Sequence, residues 1–313
     1  MSKDFLAITD FTTDEIKETF EIAQDMKSGK ITPLPLAGKS VACIFLKPSL
    51  RTRVSFEVGV TQLGGKSLYI TGDEIGLGKR ESVYDAAKVL SRLVDMIMIR
   101  AFDHKPVEEL GKHADVPVIN GLTDLLHPCQ LMGDMLTALE HKEKVEGLTI
   151  AYLGDGNNVA NSWLNAATRF ALDLRIGTSQ ETQPNQEILE NAQKVGLSQI
   201  TVTFDPKEAI KDADVVYTDV WASMGEKHLS DERKKLLKSF QVNSDLLKHA
   251  KDDCIVMHCL PANRGEEITD EVMDGPHSVV FDEAENRLHA QKAIMVKLFA
   301  QTLGERGAFQ KFE

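Results

Sequence analysis

The stretch Ser40-Val41-Ala42-Cys43-Ile44-Phe45-Leu46 runs straight into Lys47-Pro48-Ser49-Leu50-Arg51-Thr52-Arg53, and the chain continues through Val54 and Val58 to Leu63-Gly64-Gly65. The first seven residues form a short apolar run of the kind that fills a buried strand. Val54, Val58 and Leu63 then recur at helical spacing, and the glycine pair is a helix stop. A strand over 40–46 feeding a helix over 50–63 through a short turn is half of a βαβ unit, which predicts a parallel sheet covered by helices.

Working outward, the same alternation recurs. Thr12 and Thr13 precede an acidic first turn and an amphipathic run from Ile16 to Met26, predicting a helix over 12–28. Further strands are expected at 67–70, 95–100 and 116–120, with helices over 82–93 and 106–113. A long helix beginning near His127 follows, and the alternation restarts with a strand at 149–153. Beyond it come strands at 174–176, 200–204, 215–220 and 255–260, helices over 158–170, 185–195 and 229–238, and a last helix over 283–303. The expected class is α/β: two domains, each a parallel sheet flanked by helices, linked by interdomain helices, with the boundary on the helix near His127.

Composition narrows the function. The 313 residues carry 36 Lys and Arg against 48 Asp and Glu, a formal net charge of -12, so nothing draws the chain generally to nucleic acid or an anionic membrane. An anionic substrate needs a local basic pocket instead. Cys43, Cys129, Cys254 and Cys259 show no Cys-x-x-Cys spacing, which suits a reducing compartment. With neither a signal-peptide pattern nor an apolar run long enough to span a bilayer, a soluble, cytoplasmic protein is expected.

Parallel sheets bind ligands beyond the C-terminal ends of their strands, so chemistry-bearing residues are sought there. Ser49, Leu50, Arg51 and Thr52 open a helix directly after a strand. Backbone N–H groups, two hydroxyls and a guanidinium make that turn either a phosphate site or an ordinary cap with a surface arginine, and the segment alone weighs the two equally. Arg100 ends the apolar strand Met96-Ile97-Met98-Ile99, an awkward place for a charge unless it serves a site or a salt bridge. His127 and Gln130 could donate to a carbonyl oxygen.

In the second half, Gly154-Asp155-Gly156-Asn157-Asn158 follows a strand and opens a helix, inviting a dinucleotide reading. The third glycine of that fingerprint is absent and the next strand ends in Gly177-Thr178-Ser179 without a carboxylate, which disfavours a nicotinamide cofactor. Asp219 could pair with an ammonium group or simply cap a turn, beside the polar turn Ser223-Met224-Gly225. His258 and Cys259 suggest a nucleophile or metal pair, but neighbours on a strand face opposite ways, so neither a thiolate–imidazolium pair nor a shared metal is expected. Arg287 in isolation reads as a surface helix charge.

Taken in order, Ser49-x-Arg51-Thr52, Arg100, His127-Pro128-Cys129-Gln130, the Gly154 loop, Asp219-Val220-Trp221-Ala222-Ser223-Met224-Gly225, His258-Cys259-Leu260-Pro261 and Asp282-Glu283-Ala284-Glu285-Asn286-Arg287 resemble the ornithine carbamoyltransferase family over nearly the whole chain. The resemblance implies transfer of a carbamoyl group from carbamoyl phosphate to L-ornithine, giving citrulline and phosphate without metal or organic cofactor. It implies a carbamoyl phosphate-binding domain over 1–133, an ornithine-binding domain over 134–285, and a C-terminal helix, 286–313, packing back toward the first domain. Carried over, Ser49, Leu50, Arg51 and Thr52 hold the phosphate, and Arg100, His127 and Gln130 hold and polarise the carbamoyl group. Cys259, Leu260 and Arg287 also lie near the donor, and Arg100, His127, Cys259 and Asp219 form the catalytic set. Asn158, Asp219, Ser223 and Met224 bind ornithine, with domain closure and the 223–225 loop as mover.

The resemblance further implies a homotrimer or a multiple of trimers. Two positions depart from it. Leu50 stands where threonine is usual, and Gly76 stands where a glutamine commonly reaches a neighbouring subunit, with Lys79 or Arg80 as possible substitutes. The rival readings are a carbamoyltransferase for putrescine, aspartate or an acylated ornithine, a nicotinamide-dependent oxidoreductase, and a catalytically silent binding module.

Overall fold

The computed structural model describes residues 4–222 and 230–302, which form two compact units: Met1–Gly133 with Asn286–Glu313, and Asp134–Glu285. In the first unit the chain order is α1 (Thr13–Lys27), β1 (Ser40–Phe45), α2 (Leu50–Gln62), β2 (Lys66–Thr71), α3 (Gly72–Ile75), α4 (Val83–Leu93), β3 (Met96–Arg100), α5 (Lys105–His113) and β4 (Val118–Leu122). The helix α6 (Pro128–Lys142) carries the chain across the division. The second unit contains β5 (Thr149–Leu153), α7 (Asn158–Ala166), β6 (Asp173–Gly177), α8 (Gln186–Val195), β7 (Gln199–Thr203), α9 (Pro206–Ile210), β8 (Val215–Thr218), α10 (Ser230–Leu237), α11 (Ser244–Leu247), β9 (Ile255–His258) and α12 (Asp270–Met273). The helix α13 (Val280–Thr302) crosses the division again.

The expected α/β class holds: both sheets are wholly parallel, in the order β2-β1-β3-β4 and β7-β6-β5-β8-β9. Each sheet reverses its direction of winding once, between β1 and β3 in the first unit and between β5 and β8 in the second. Ligands on such sheets enter at that switch point, beyond the strand C-termini.

Strands β1, β3, β4, β5, β8 and β9 are buried on both faces almost throughout, so they read as apolar runs, whereas β2 and β7, at the sheet edges, are only partly buried. In the first unit Ala42, Ile44, Ile97 and Ile99 pack with Ala86 and Ala87 of α4 and Val107 and Leu110 of α5. In the second, Ala151, Leu153, Val216 and Val256 pack with Ala209 and Ile210 of α9 and with Leu237, Phe240 and Trp221. Each fully buried aliphatic side chain stabilises by roughly 1.5–3 kcal/mol, more than a typical helix cap at about 1 kcal/mol. The cores therefore fix the frame, and the caps decide how each helix starts.

Observed ends differ slightly from those expected. The strand expected at 116–120 lies at Val118–Leu122, because Pro117 has no N–H to give the ladder; it contributes only its carbonyl, which accepts the Ile97 N–H at 2.9 Å. The strands expected to reach Val220 and Leu260 stop at Thr218 and His258.

Candidate active site

In the first unit, β1 and β3 run side by side with Phe45 opposite Arg100, and the N–H groups of Leu46 and Lys47 both reach the Arg100 carbonyl, at 2.9 and 3.4 Å. This register sets the Ser49 turn against Arg100. A register shift between Ile99 and Arg100 in the β3–β4 ladder coincides with the residue that must aim out of the sheet. Ser49 caps α2 in extended backbone conformation, and its hydroxyl accepts the Thr52 N–H at 3.3 Å.

The Thr52 hydroxyl oxygen is a meeting point. Arg100 donates to it at 3.2 Å and Arg287, from α13, at 3.0 Å, with Ser49 Oγ 3.1 Å away. All three residues are buried: Thr52 is 0%, Arg287 3% and Arg100 6% exposed. Two guanidinium groups brought to one neutral atom at a helix N-terminus repel each other, and an anion bound there relieves that repulsion. Ser49 caps the helix, and Arg287, a surface charge when read in isolation, is buried. Its burial traces to Gly133, where a β-carbon would lie 3.1–3.3 Å from Arg287 Cγ, Cα and N, so α6 and α13 approach closely at that point.

His127 and Gln130 are buried at the start of α6, at 4% and 0% exposure. Burial, then the charges of Arg287, Arg100 and Lys47, hold the His127 pKa well below the ordinary histidine value. A neutral imidazole can donate one N–H to a carbonyl oxygen without adding charge. Lys47, absent from the expected set, is 3% exposed, pairs with Asp124 at 2.8 Å and lies 4.9 Å from the Phe102 ring centroid. A lysine directly after an apolar strand, beside the Ser49 turn, is the signal that the sequence offers for it. Leu50 is 73% exposed, so what it can offer an anion is its backbone N–H.

In the second unit, the ends of three adjacent strands carry the chemistry. Leu153, Thr218 and His258 are paired across β5, β8 and β9, so the Gly154 loop, Asp219 and Cys259 all emerge at one edge. Asp219 is 5% exposed and accepts the Cys259 S–H at 2.9 Å and the Val220 N–H at 2.8 Å on Oδ1, and the Asn157 amide at 2.8 Å on Oδ2. Burial first, then the Asp219 carboxylate, push the Cys259 thiol well above its ordinary value. Cys259 is therefore a neutral donor to Asp219 and is held away from the thiolate form a nucleophile needs.

These two arrangements can be set against known proteins. The aspartate/ornithine carbamoyltransferase carbamoyl-P binding domain model matches residues 3–140, and the Asp/Orn binding domain model matches residues 146–298. The chain belongs to the aspartate/ornithine carbamoyltransferase family. An ornithine carbamoyltransferase from Thermococcus kodakarensis is 51% identical over 300 residues, covering 94% of this chain and 95% of that one. The solved structure of the Pyrococcus furiosus ornithine carbamoyltransferase matches with a TM-score of 0.88 at 49% identity, over 94% of this chain and 96% of that one. The anabolic ornithine carbamoyltransferase of Campylobacter jejuni matches with a TM-score of 0.91 at 37% identity, over 96% and 100% of the two chains.

Ser49, Leu50, Arg51, Thr52, Arg100, His127, Gln130 and Arg287 belong to the first unit, and Asn158, Asp219, Cys259 and Leu260 to the second. Ser223 and Met224 lie outside the described residues. Asn158 is buried in the first turn of α7.

His258 and Cys259 do not alternate as strand neighbours would, because β9 ends at His258 and Leu260 turns the chain at φ 55. Donor atoms of Asp219, His258 and Cys259 all lie within 4.8 Å of one another. Chemistry nonetheless argues against a metal: His258 Nδ1 accepts the Leu260 N–H at 2.9 Å, so Nε2 carries the proton toward Glu267 at 3.0 Å, and both ring nitrogens are engaged. The dinucleotide reading weakens further, since a β-carbon at Gly156 would fall 2.2–2.6 Å from the backbone of residues 182–184. That glycine admits a neighbouring strand of chain, where the fingerprint would have it admit a pyrophosphate.

Gly76 ends α3 at φ 58, and a β-carbon there would come within 2.8 Å of Arg80 Cβ. A glutamine at this position would be strained. Arg80 bonds the Glu74 carbonyl, tying the exposed turn to itself.

Proposed function

We propose that this chain transfers the carbamoyl group of carbamoyl phosphate to the δ-amine of L-ornithine, giving L-citrulline and phosphate. The observation that carries the donor half is the meeting of Arg100 and Arg287 on Thr52 at the start of α2. The relatives named ornithine carbamoyltransferase, about half identical to this chain, support the acceptor.

The donor's phosphate would lie on the backbone N–H groups of Leu50 and Arg51, the hydroxyls of Ser49 and Thr52, and the guanidinium groups, with the 1–133 segment as carbamoyl phosphate-binding domain. Arg100, neutral His127 and Gln130 would hold the carbamoyl oxygen. As the neutral δ-amine attacks the carbonyl carbon, a C–N bond forms and negative charge grows on that oxygen. Fixed donors stabilise the charge without reorganising. The C–O bond to phosphate then breaks, phosphate leaves as an anion to the same arginines, and the amine sheds a proton. Residues 134–285 would bind ornithine, with Asp219 against its ammonium group and Asn158, Ser223 and Met224 completing the contacts. Cys259 and Leu260 sit beside the reacting amine. This chemistry asks for no metal and no organic cofactor.

Leu50, Val54 and Val58, spaced four apart on α2, are 73%, 49% and 38% exposed. An apolar stripe of this kind suits a contact with further copies of the chain, as a homotrimer or a multiple of trimers. Four unpaired thiols suit the cytoplasm. Among the described residues no helix is long and apolar enough to cross a membrane.

The test is product formation from carbamoyl phosphate with ornithine, putrescine, acetylornithine and aspartate offered in parallel. Citrulline from ornithine, with the other amines far slower, is expected. Good turnover of another amine and none of ornithine would overturn the acceptor.

A further inference from the structure

Asn157 does two jobs with one amide. Its Oδ1 accepts the Val159 N–H at 2.9 Å and the Ala160 N–H at 3.4 Å, closing the N-terminus of α7, while its Nδ2 donates to Asp219 Oδ2 at 2.8 Å. The orientation has no alternative. Turning the amide over would point N–H groups at the helix N–H groups and a carbonyl at a carboxylate. The Tyr152 hydroxyl, buried beneath, sits 3.1 Å from the same Oδ1 and 2.9 Å from the Asp155 carbonyl, bracing the loop from below.

Asp219 is consequently held from both sides. Oδ1 takes Cys259 S–H and Val220 N–H, both attached to the strand ends, and Oδ2 takes Asn157, attached to α7. Asn157 follows β5 and Asp219 follows β8, so the bond spans the switch point of the second sheet, where this fold places ligands. Without the Asn157 donor, the bonds that the described residues give the carboxylate reach one oxygen only, and its plane can swing about the χ2 torsion.

We propose that Asn157 is a positioning residue of the acceptor site: its amide, locked by the first turn of α7, fixes the Asp219 carboxylate and so sets the affinity for the acceptor's ammonium group. The inference rests on the assignment of Asp219 to that ammonium. Asn157→Asp is the sharp variant. Aspartate caps a helix as well as asparagine does, so the fold should stand, but it presents a carboxylate to a carboxylate across the same short gap. Asn157→Ser keeps a capping hydroxyl and is too short to reach Asp219.

The experiment measures KM for ornithine, KM for carbamoyl phosphate, kcat and the melting temperature of wild type and both variants. For Asn157→Asp the expected result is a KM for ornithine raised about tenfold or more, with KM for carbamoyl phosphate unchanged to within about twofold and the melting temperature retained. Asn157→Ser should raise the ornithine KM less, by about threefold to tenfold, since it loses a donor without adding a charge. An ornithine KM within twofold of wild type in both variants would overturn the proposal, as would equal rises in both KM values, which a merely structural lesion would give. Wild-type turnover in the same assay reads the functional assignment itself, so failure of that assignment is seen separately from failure of the Asn157 effect.

Discussion

The turn after β1 and the turn after β5 begin as the same object: a strand end, a short loop and a helix N-terminus beside the switch point of a parallel sheet. They finish with opposite chemistry. At α2 the capping side chain is a small hydroxyl that satisfies one N–H, and the surroundings are cationic, with Arg100, Arg287 and Lys47 buried around a neutral His127. At α7 the cap is an asparagine that satisfies two N–H groups and turns its amide toward a buried carboxylate. A helix start attracts anions only while its N–H groups remain available. Asn157 closes one such site and holds a carboxylate of the protein's own, Asp219, whereas Ser49 takes one N–H of the other, which the proposed function gives to the donor's phosphate.

The largest effect expected from breaking this contrast is at Asp219. Asp219→Asn keeps the shape and removes the charge, and should lower kcat/KM for ornithine by about 10²-fold or more in steady-state assays. A loss under threefold would mean that another group holds the ammonium.

A smaller effect concerns His127. Its folded pKa is depressed, so the unfolded chain takes up a proton near pH 6.5 while the folded chain does not. The stability it permits is therefore full above about pH 6.5 and is lost as the pH falls below it, at a limiting slope of about 1.4 kcal/mol per unit. Urea unfolding at pH 7.5 and 5.5 should show wild type losing about 1 kcal/mol more than His127→Asn across that interval. Equal losses would mean that His127 titrates normally.

The smallest effect belongs to Leu50. Its side chain is 73% exposed and only its backbone faces the anion role, so Leu50→Thr should change KM for carbamoyl phosphate by no more than about twofold. A tenfold gain would show that a hydroxyl at this position reaches the donor.

The architecture was legible because hydrophobic runs and helical spacing are local properties, and most strands bury both faces. What escaped was short or distant. Helices α3, α9, α11 and α12 are four or five residues long and display no period to read. The strand shift at Pro117 follows from a missing donor, a signal that the sequence does carry. Among site residues, Ser49, Thr52 and Arg100 stood out as polar groups at strand ends. Arg287 did not, because its burial depends on Gly133 and Thr52, both more than a hundred residues away. Asn157 carries no signal of its own in the sequence beyond its place in the Gly154 loop, and half of its role is to cap α7. The other half exists only because β8 lies beside β5 and brings Asp219 within reach.

The central claim is that donor and acceptor are bound by separate, oppositely charged arrangements. Calorimetric titration of carbamoyl phosphate into Arg100→Ala and Asp219→Asn tests it most directly. The account predicts that Arg100→Ala loses most of the affinity while Asp219→Asn binds within about twofold of wild type; an equal loss in Asp219→Asn, or full affinity in Arg100→Ala, would contradict it.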